Sequence, residues 1–283
     1  MAESAAAVMR EREFQFTQHD FEQIRRLIYE HAGISLSPAK MDMVYSRIAR
    51  RLRATGLSTF QDYLEFLDSN PDEWPHFTNS LTTNLTSFFR ESHHFPVLAE
   101  RALEAKRQGR RPIRLWSSAC STGEEPYSMA MTLIEAFDSW TPPVRILATD
   151  LDTNVVRHAA DGIYQMDRVE KLPEAQLKRF FLRGKGARAG LVRLRPEVRA
   201  LIDFQPLNLL SEHWPMREPF DAIFCRNVMI YFDKPTQAKI LSRFHPLLHP
   251  DGLLFVGHSE SLAHVATLFR LRGKTVYAPV HTN

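Results

Sequence analysis

The residues that point most clearly to chemistry lie in the stretch SSACSTGEEPYS, residues 117–128. An apolar run precedes it and a helix-like segment follows it, which is where a nucleotide-binding protein places a glycine-rich phosphate loop. This turn contains a single glycine, Gly123, and Glu124 and Glu125 follow it directly. Two carboxylates at this position would repel a pyrophosphate and tolerate or attract a cation. The turn therefore favours a ligand that has positive charge and no phosphate.

Two further acids follow the next apolar run, VRILATDLD. An acid at the end of the second strand is suited to accept hydrogen bonds from a ribose diol. Asp150 and Asp152 both qualify, and Asp150, at the strand end itself, is the better candidate; either acid alone also fits a helix cap. S-adenosylmethionine combines a ribose with an ammonium, a sulfonium and no phosphate, so it fits these residues better than a nicotinamide dinucleotide does.

The elements that must position these acids alternate between strands and helices from Ile113 onward. This alternation predicts an α/β domain with a mostly parallel sheet, in which ligands bind at the carboxyl ends of the strands. The helix after the second strand is expected to begin at a Thr153 cap. Residues from about 163 to 203 interrupt this alternation of strands and helices, and their pattern predicts an antiparallel β insertion. Its glycine-rich turn GKGARAG lacks Walker spacing and fits a hairpin, whose edge suits an extended peptide.

The first part of the chain reads as helical. We predict a helical domain over residues 1–90, with 1–13 flexible, followed by the α/β domain over 91–283. The second helix of the helical domain carries Arg47, Arg50, Arg51 and Arg53 with no interleaved acids. A solvated basic face is one interpretation. Four arginines within seven residues favour an acidic partner instead, with DNA and an acidic protein helix both open.

Composition excludes several classes of protein. The chain has 283 residues, a formal net charge of +3 and two cysteines, which excludes a disulfide framework and favours reduced thiols in a cytoplasmic protein. We find no signal peptide and no apolar run that approaches a membrane span. No Ser-His-Asp, Cys-His or metal-ligand cluster is recognisable, so no metal is predicted, and His93 and His94 are interpreted as structural or surface residues.

Five blocks in order resemble the signatures of the chemotaxis receptor methyltransferases, the CheR family: LTTNLTSFFRE (81–91), SSACSTGEEPYSMA (117–130), ATDLDT (148–153), FDAIFCRNVMIYFD (220–233) and DGLLFVGHSES (251–261). The resemblance extends from about Phe14 to Ala278. It implies a Rossmann-like S-adenosylmethionine-dependent methyltransferase fold with a small helical N-terminal domain and a β insertion. It also implies methyl transfer to glutamate side chains on chemoreceptor helices, giving methyl esters and S-adenosylhomocysteine.

The resemblance further implies roles for individual residues. Arg90 and Tyr231 are tied to the methyl-transfer centre, and Arg90 holds either the acceptor carboxylate or that of the cofactor. Glu125 faces the cofactor's positive end, whereas Glu124 is a charge at a helix N-terminus. The implied cofactor contacts are Asn84, Thr86, Arg90, Glu125, Asp150, Asn208, Leu209, Arg226 and Asn227. The implied receptor-reading residues are Arg47, Arg50, Arg51 and Arg53.

The expected partners are chemoreceptor cytoplasmic helices and, as in some members of the family, a receptor C-terminal pentapeptide bound by the insertion. We expect a monomer that inserts into no membrane and binds no nucleic acid. A nucleic-acid methyltransferase is the competing enzyme, but no Asn/Asp-Pro-Pro-Tyr/Phe block follows the FDAIF strand. A cofactor-binding signalling module is the non-enzymatic alternative. The expected reaction needs no general base, because a glutamate with a pKa near ~4.3 is already ionised.

Overall fold

The computed structural model describes residues 12–281. The flexibility predicted for residues 1–13 falls almost wholly outside the described residues. Two compact units divide this part of the chain: residues up to His31 with Ser35–Leu81, and Ala32–Ile34 with the residues from Thr82 onward. The division after Leu81 precedes the domain boundary predicted at residue 90, and that boundary stays a prediction.

The first unit is helical. Its helices are α1 (Gln18–Ala32), α2 (Met41–Thr55), α3 (Phe60–Ser69) and α4 (Trp74–Leu81). Helix α1 begins with a reciprocal cap: the Thr17 hydroxyl accepts the Asp20 N–H at 3.2 Å, and the Asp20 carboxylate accepts the Thr17 N–H at 2.8 Å. Helix α2 ends at Gly56, whose φ of 72° gives the left-handed cap expected of glycine.

Two of the four arginines on α2 have acidic partners within this unit. Arg51 donates two hydrogen bonds, of 2.8 and 2.9 Å, to the carboxylate of Glu73, which is only 6% exposed. Arg53 pairs with Glu13 at 2.5 Å on the surface. The absence of interleaved acids, which favoured an acidic partner, therefore does not leave these two arginines unpaired. The sequence around α2 did not reveal the pairs, because both acids are more than 20 residues away.

The other two arginines differ from these. Arg47 donates a hydrogen bond of 3.3 Å to the Ser80 carbonyl oxygen. Arg50 is exposed, and no acid of the described residues pairs with it. Arg50 is thus the arginine of α2 that offers its charge most openly to a partner.

The second unit is an α/β domain with an insertion. In chain order its elements are α5 (His94–Arg107), β1 (Ile113–Ser117), α6 (Glu124–Ala136), β2 (Val144–Asp150), α7 (Thr153–Asp161), β3 (Ile163–Gln165), α8 (Glu174–Phe180), β4 (Phe181–Arg183), β5 (Leu191–Leu194), α9 (Pro196–Arg199), β6 (Ile202–Pro206), β7 (Phe220–Cys225), α10 (Lys234–Phe244), β8 (Leu248–Val256), β9 (Phe269–Gly273) and β10 (Val276–Pro279).

Seven strands form the main sheet in the order β6-β2-β1-β7-β8-β10-β9. The first five are parallel, and β10 runs antiparallel to both β8 and β9. The predicted, mostly parallel sheet is confirmed. The chain places β2 and β6 on one side of β1, and β7 and β8 on the other. Strand β1 therefore marks the topological switch point, beside which α/β proteins bind ligands.

The insertion is a separate three-stranded antiparallel sheet in the order β3-β5-β4. Strands β4 and β5 form the predicted hairpin around the glycine-rich turn. The insertion ends before β6, which belongs to the main sheet and pairs with β2. Sequence reasoning placed the start of β6 inside the insertion, because β6 does not read as a continuous apolar run.

Candidate active site

The carboxyl ends of four adjacent strands carry most of the predicted cofactor residues. Asp150 ends β2, and Asn208 and Leu209 follow the end of β6. The Leu207 N–H donates to the Asp150 carbonyl oxygen at 2.8 Å, which ties these two strand ends together. The turn after β1 leads into helix α6, whose second residue is Glu125, and Arg226 and Asn227 follow β7. The sheet topology thus brings distant sequence blocks to one edge.

Gly123 allows the turn after β1 to pass close to its neighbours. Its φ is 98°, and a Cβ there would lie 2.8 Å from the Ala159 Cβ and 2.9 Å from the Tyr164 hydroxyl. An L-residue would meet both backbone strain and a clash. The single glycine of this turn is therefore needed for shape.

Asp150 is a buried carboxylate that orders the turn. One of its oxygens accepts the Ser121 N–H at 2.8 Å, and the other accepts the Asp152 N–H at 3.0 Å. Burial raises the pKa of Asp150 to about 6, against the lowering effect of these two hydrogen bonds. Each oxygen keeps a lone pair with which it can accept a ribose hydroxyl.

Asp152, and not Thr153, caps helix α7. Its carboxylate accepts the N–H groups of Asn154 and Val155. The predicted Thr153 cap is therefore wrong; Thr153 is the first helical residue. The second oxygen of Asp152 accepts the Thr82 hydroxyl at 2.9 Å and the Asn84 side-chain amide at 2.8 Å.

Asn84 belongs to the segment 82–91, which lies over the turn after β1. While its side chain binds Asp152, its carbonyl oxygen accepts the Ser121 hydroxyl at 3.1 Å. Farther along, the Phe89 N–H donates to the Ser128 hydroxyl at 2.9 Å. Phe89 and Glu91 adopt left-handed φ values of 51° and 54°. Strained backbone of this kind is typical of functional sites.

Glu125 and Arg226 form a buried ion pair across the switch point. The guanidinium donates to Glu125 at 3.1 Å, and Ser117 donates its hydroxyl to the other Glu125 oxygen at 2.7 Å. Burial raises the pKa of Glu125, although the charge of Arg226 lowers it. Arg226 also donates to the Arg90 carbonyl oxygen. Its side chain is 2% exposed, so its guanidinium is already engaged by protein groups.

Glu91 is a second acid beside Arg226, at 3.6 Å. The His258 ring nitrogen contacts one oxygen of Glu91 at 2.9 Å, and the Asn227 amide donates to the same oxygen at 3.3 Å. Burial alone would raise the pKa of Glu91, but hydrogen bonds from His258 and Asn227 and the charge of Arg226 lower it to about 2. Glu91 lies in a recognised sequence block, yet it was assigned no role.

Glu91, His93 and His94 bring ligand-type atoms within 4.8 Å of one another. Sequence reasoning saw no partner for the two histidines. His94 is fully buried and contacts the Thr275 hydroxyl at 2.9 Å, whereas Arg226 beside Glu91 opposes a metal cation. The absence of a metal stays a prediction.

Glu260 fixes the backbone after β7. Its carboxylate accepts the N–H groups of Asn227 (2.9 Å), Met229 (2.8 Å) and Gly257 (2.5 Å). Asn227 takes a left-handed φ of 57°. Tyr231 ends the short 3₁₀ turn that follows and is half-buried. Sequence reasoning missed Glu260, because its partners are backbone groups that no residue pattern reveals.

Arg90, the second-last residue of the segment 82–91, has a guanidinium with little protein contact. One nitrogen donates to the Leu85 carbonyl oxygen at 3.0 Å. Among residues 12–281, no carboxylate forms an ion pair with it. Arg90 can therefore receive a carboxylate from outside the protein.

Asn208 and Leu209 have different surroundings. The Asn208 side-chain oxygen accepts the Leu210 N–H at 2.8 Å, which forms a tight local turn. Leu209 is buried in the core cluster that includes Trp116. The turn holds this short loop at the end of β6, next to Asp150.

Glu124 lies at the first position of α6, as expected for a charge at a helix N-terminus. It is nevertheless fully buried. The Thr122 hydroxyl donates to it at 2.6 Å, and Arg168 from the insertion pairs with it. Arg168 also donates to the Thr86 carbonyl oxygen at 2.9 Å. No sequence motif pointed to Arg168.

The described helices include none long and apolar enough to cross a membrane. Both cysteines are buried, and neither forms a disulfide.

Comparison with known proteins identifies the class and then the family. A family profile described as "CheR methyltransferase, SAM binding domain" matches residues 84–278, and one described as "CheR methyltransferase, all-alpha domain" matches residues 19–82. The protein is therefore an S-adenosylmethionine-dependent methyltransferase. The predicted fold, enzyme class and cofactor are confirmed.

Named relatives agree with this assignment. The chain is 52% identical over 267 residues to "Chemotaxis protein methyltransferase 2" of Pseudomonas aeruginosa, covering 94% of this chain and 95% of the relative. It is 54% identical over 260 residues to "Chemotaxis protein methyltransferase" of Escherichia coli, covering 91% and 90%. The chain belongs to the CheR family, the methyltransferases of chemotaxis that modify chemoreceptors.

Proposed function

We propose that this enzyme methylates glutamate side chains on the cytoplasmic helices of chemoreceptors, forming glutamyl methyl esters. The observation that carries the proposal is Arg90. Arg226, which follows β7, donates to the Arg90 carbonyl oxygen and so ties the Arg90 backbone to the carboxyl edge of the sheet. The Arg90 guanidinium donates to the Leu85 carbonyl oxygen and forms no ion pair with a carboxylate of the described residues. A planar fork of donors in this setting suits an incoming carboxylate.

The chain's task in this reaction is alignment. S-adenosylmethionine supplies the methyl group on a positively charged sulfonium when it is bound. Arg90 would orient the acceptor carboxylate toward the methyl carbon, so that the new O–C bond would replace the S–C bond, release S-adenosylhomocysteine and require no proton transfer. The half-buried Tyr231 directs its hydroxyl toward the same centre. Good orientation alone contributes ~7–11 kcal/mol to lowering the barrier. The reaction needs no general base, because the acceptor glutamate is already ionised at neutral pH.

The proposed cofactor contacts follow the strand ends. Glu125 faces the positive end of the cofactor, because its carboxylate accepts two hydrogen bonds from the described part of the chain and keeps acceptor capacity. Asp150 accepts the ribose hydroxyls. The remaining contacts are Asn84, Thr86, Arg90, Asn208, Leu209, Arg226 and Asn227. Because the Arg226 guanidinium is engaged by protein groups, its contact runs through the backbone.

Two surfaces are proposed for the receptor. Helix α2 lies against acidic receptor helices, with Arg50 as the most open charge and Arg47, Arg51 and Arg53 beside it. The insertion binds a receptor C-terminal pentapeptide along an edge of its sheet: β4 pairs only with β5, so one side of β4 has no strand neighbour in the described sheet. We further propose that the enzyme acts as a monomer in the cytoplasm.

The proposal is tested with a receptor cytoplasmic fragment and labelled S-adenosylmethionine. We expect the fragment with acceptor glutamates to be labelled and a fragment with glutamines at those positions to remain unlabelled. Arg90→Lys keeps the charge but loses the planar fork, so it should lower kcat/KM for the receptor about 100-fold, the cost of misplacing a reactant. Arg217→Ala, an exposed arginine outside the site, is the matched control. Equal labelling of both fragments would contradict the proposal.

A further inference from the structure

The β insertion contacts both cofactor-facing segments of the α/β domain. Arg168, in the 3₁₀ turn after β3, uses one guanidinium nitrogen to reach the Thr86 carbonyl oxygen and the Glu124 carboxylate. Thr86 belongs to the segment 82–91, and Glu124 opens helix α6. A single side chain of the insertion thus joins two segments that are far apart in the sequence.

Tyr164, in strand β3, provides a second contact. Its hydroxyl donates to the Thr122 carbonyl oxygen at 2.6 Å, and it stands where a Cβ on Gly123 would come within 2.9 Å. Tyr164 is buried. Its hydrogen bond is therefore shielded from water and fixes the backbone immediately before the glycine of the cofactor turn.

Aromatic packing holds the other segment. The Phe88 ring packs edge-on against Tyr164 of β3 and Phe181 of β4, with centroid distances of 5.1 and 5.7 Å. Aromatic pairs in this arrangement are favourable beyond their buried area. The insertion therefore fixes the segment 82–91 both at a backbone oxygen and at a buried ring.

We propose that Tyr164 and Arg168 are positioning residues for S-adenosylmethionine. Through them the insertion holds the turn 122–124 and the segment 84–88 in the geometry that the cofactor requires, so the insertion is a structural part of the cofactor site. Glu124 is fully buried, and Arg168 is the cation paired with it in the described chain. The pair therefore fixes the orientation of a carboxylate directly beside Glu125. The proposal rests on the proposed cofactor contacts of Thr86 and Glu125.

Two variants test it by equilibrium binding of S-adenosylmethionine and S-adenosylhomocysteine, measured by calorimetry on the full chain without receptor. Tyr164→Phe removes one hydrogen bond and keeps the ring, so we expect Kd to rise about fivefold, the effect of one ordinary hydrogen bond. Glu124→Gln combined with Arg168→Ala removes the pair without stranding a buried charge, and we expect Kd to rise about tenfold. Arg168→Lys keeps a cation beside Glu124, so its Kd should lie between those of the parent chain and the double variant.

Arg188→Ala is the matched control, because Arg188 is an exposed basic residue of the same insertion; its Kd should equal that of the parent chain. An unchanged Kd in both test variants overturns the proposal. A lower Tm with an unchanged Kd also overturns it, because that result shows a purely structural role. Because this binding test contains no receptor, its result does not depend on whether the enzyme methylates glutamate. The two proposals can therefore fail independently.

Discussion

The carboxylate of Glu125 and the guanidinium of Arg226 lie 3.1 Å apart and join the two halves of the sheet at its switch point. Glu125 follows β1 and Arg226 follows β7, which are neighbouring strands. Arg226 also reaches the Arg90 carbonyl oxygen. This one pair therefore links the acid proposed for the cofactor's positive end to the arginine proposed for the acceptor.

Replacing the two partners should have different effects. Arg226→Met leaves the buried Glu125 and Glu91 without their shared cation, so the free energy of unfolding should fall by about 3–5 kcal/mol. Glu125→Gln keeps an oxygen for Arg226, so it should cost less stability and mainly weaken cofactor binding, by about tenfold. Urea unfolding and calorimetry with S-adenosylhomocysteine separate these effects. Equal stability losses with unchanged cofactor affinity would contradict the assignment.

Gly123 should tolerate no side chain. Gly123→Ala brings a Cβ within 2.8 Å of Ala159 at a φ of 98°, so we expect a loss of about 1–3 kcal/mol in stability and at least tenfold weaker cofactor binding. Gly186→Ala is the matched control, since its φ is also positive (58°) but its Cβ would meet no atom within 4 Å. The control should cost about 1–2 kcal/mol and leave cofactor affinity unchanged. Similar cofactor affinities for the two variants would refute a special role for the turn.

His94 should make stability depend on pH. Burial, together with the charge of Arg226, lowers the pKa of His94 to about 4 from the ordinary 6.5. The unfolded chain therefore takes up this proton near pH 6.5, and the folded chain only near pH 4. The contribution of neutral His94 to the free energy of unfolding is fully present above pH 6.5. It decreases as the pH falls from 6.5 to about 4, by about 3 kcal/mol in total.

The measurement is urea unfolding of the parent chain and of His94→Gln between pH 7 and pH 4. The variant lacks this titration, so the difference in stability between the two proteins should shrink as the pH falls. If the difference in unfolding free energy between the two proteins stayed constant with pH, His94 would not be the source of the pH dependence.

The arginines of helix α2 should separate into a structural and a receptor-facing class. Arg51→Ala breaks the bidentate pair with the buried Glu73 and should lower the unfolding free energy by about 3 kcal/mol. Arg50→Ala should change stability by less than about 0.5 kcal/mol. It should nevertheless weaken receptor methylation at low salt, and less so at high salt, where surface charges are screened. Unchanged receptor methylation by the Arg50 variant at every salt concentration would contradict the proposal that helix α2 binds the receptor.

The sequence predicted the elements whose burial leaves a pattern. Strands β1, β2, β7 and β8 read as apolar runs because they are the buried centre of the sheet. Strand β9 was missed, because only one of its five residues is buried. A strand at the edge of the sheet gives little hydrophobic signal.

The site residues follow a similar division. Residues within recognisable blocks, such as Asp150 and Arg226, could be predicted together with their neighbourhood at the strand ends. Arg168 lies outside these blocks and Glu260 lies within one of them, yet neither role could be predicted, because it depends on contacts with residues more than 20 positions away or with backbone N–H groups. The Glu73 partner of Arg51 escaped prediction for the same reason. Such pairings are set by the packed fold and leave no local pattern in the sequence.

The central claim is the formation of a methyl ester on glutamate. The most direct test incubates the protein with radiolabelled S-adenosylmethionine and receptor-rich membranes, isolates the labelled receptor and exposes it to mild alkali. A glutamyl methyl ester hydrolyses in base, so we predict that the label leaves the receptor as volatile methanol. Label that remains on the receptor after alkali would indicate N-methylation and would contradict the account.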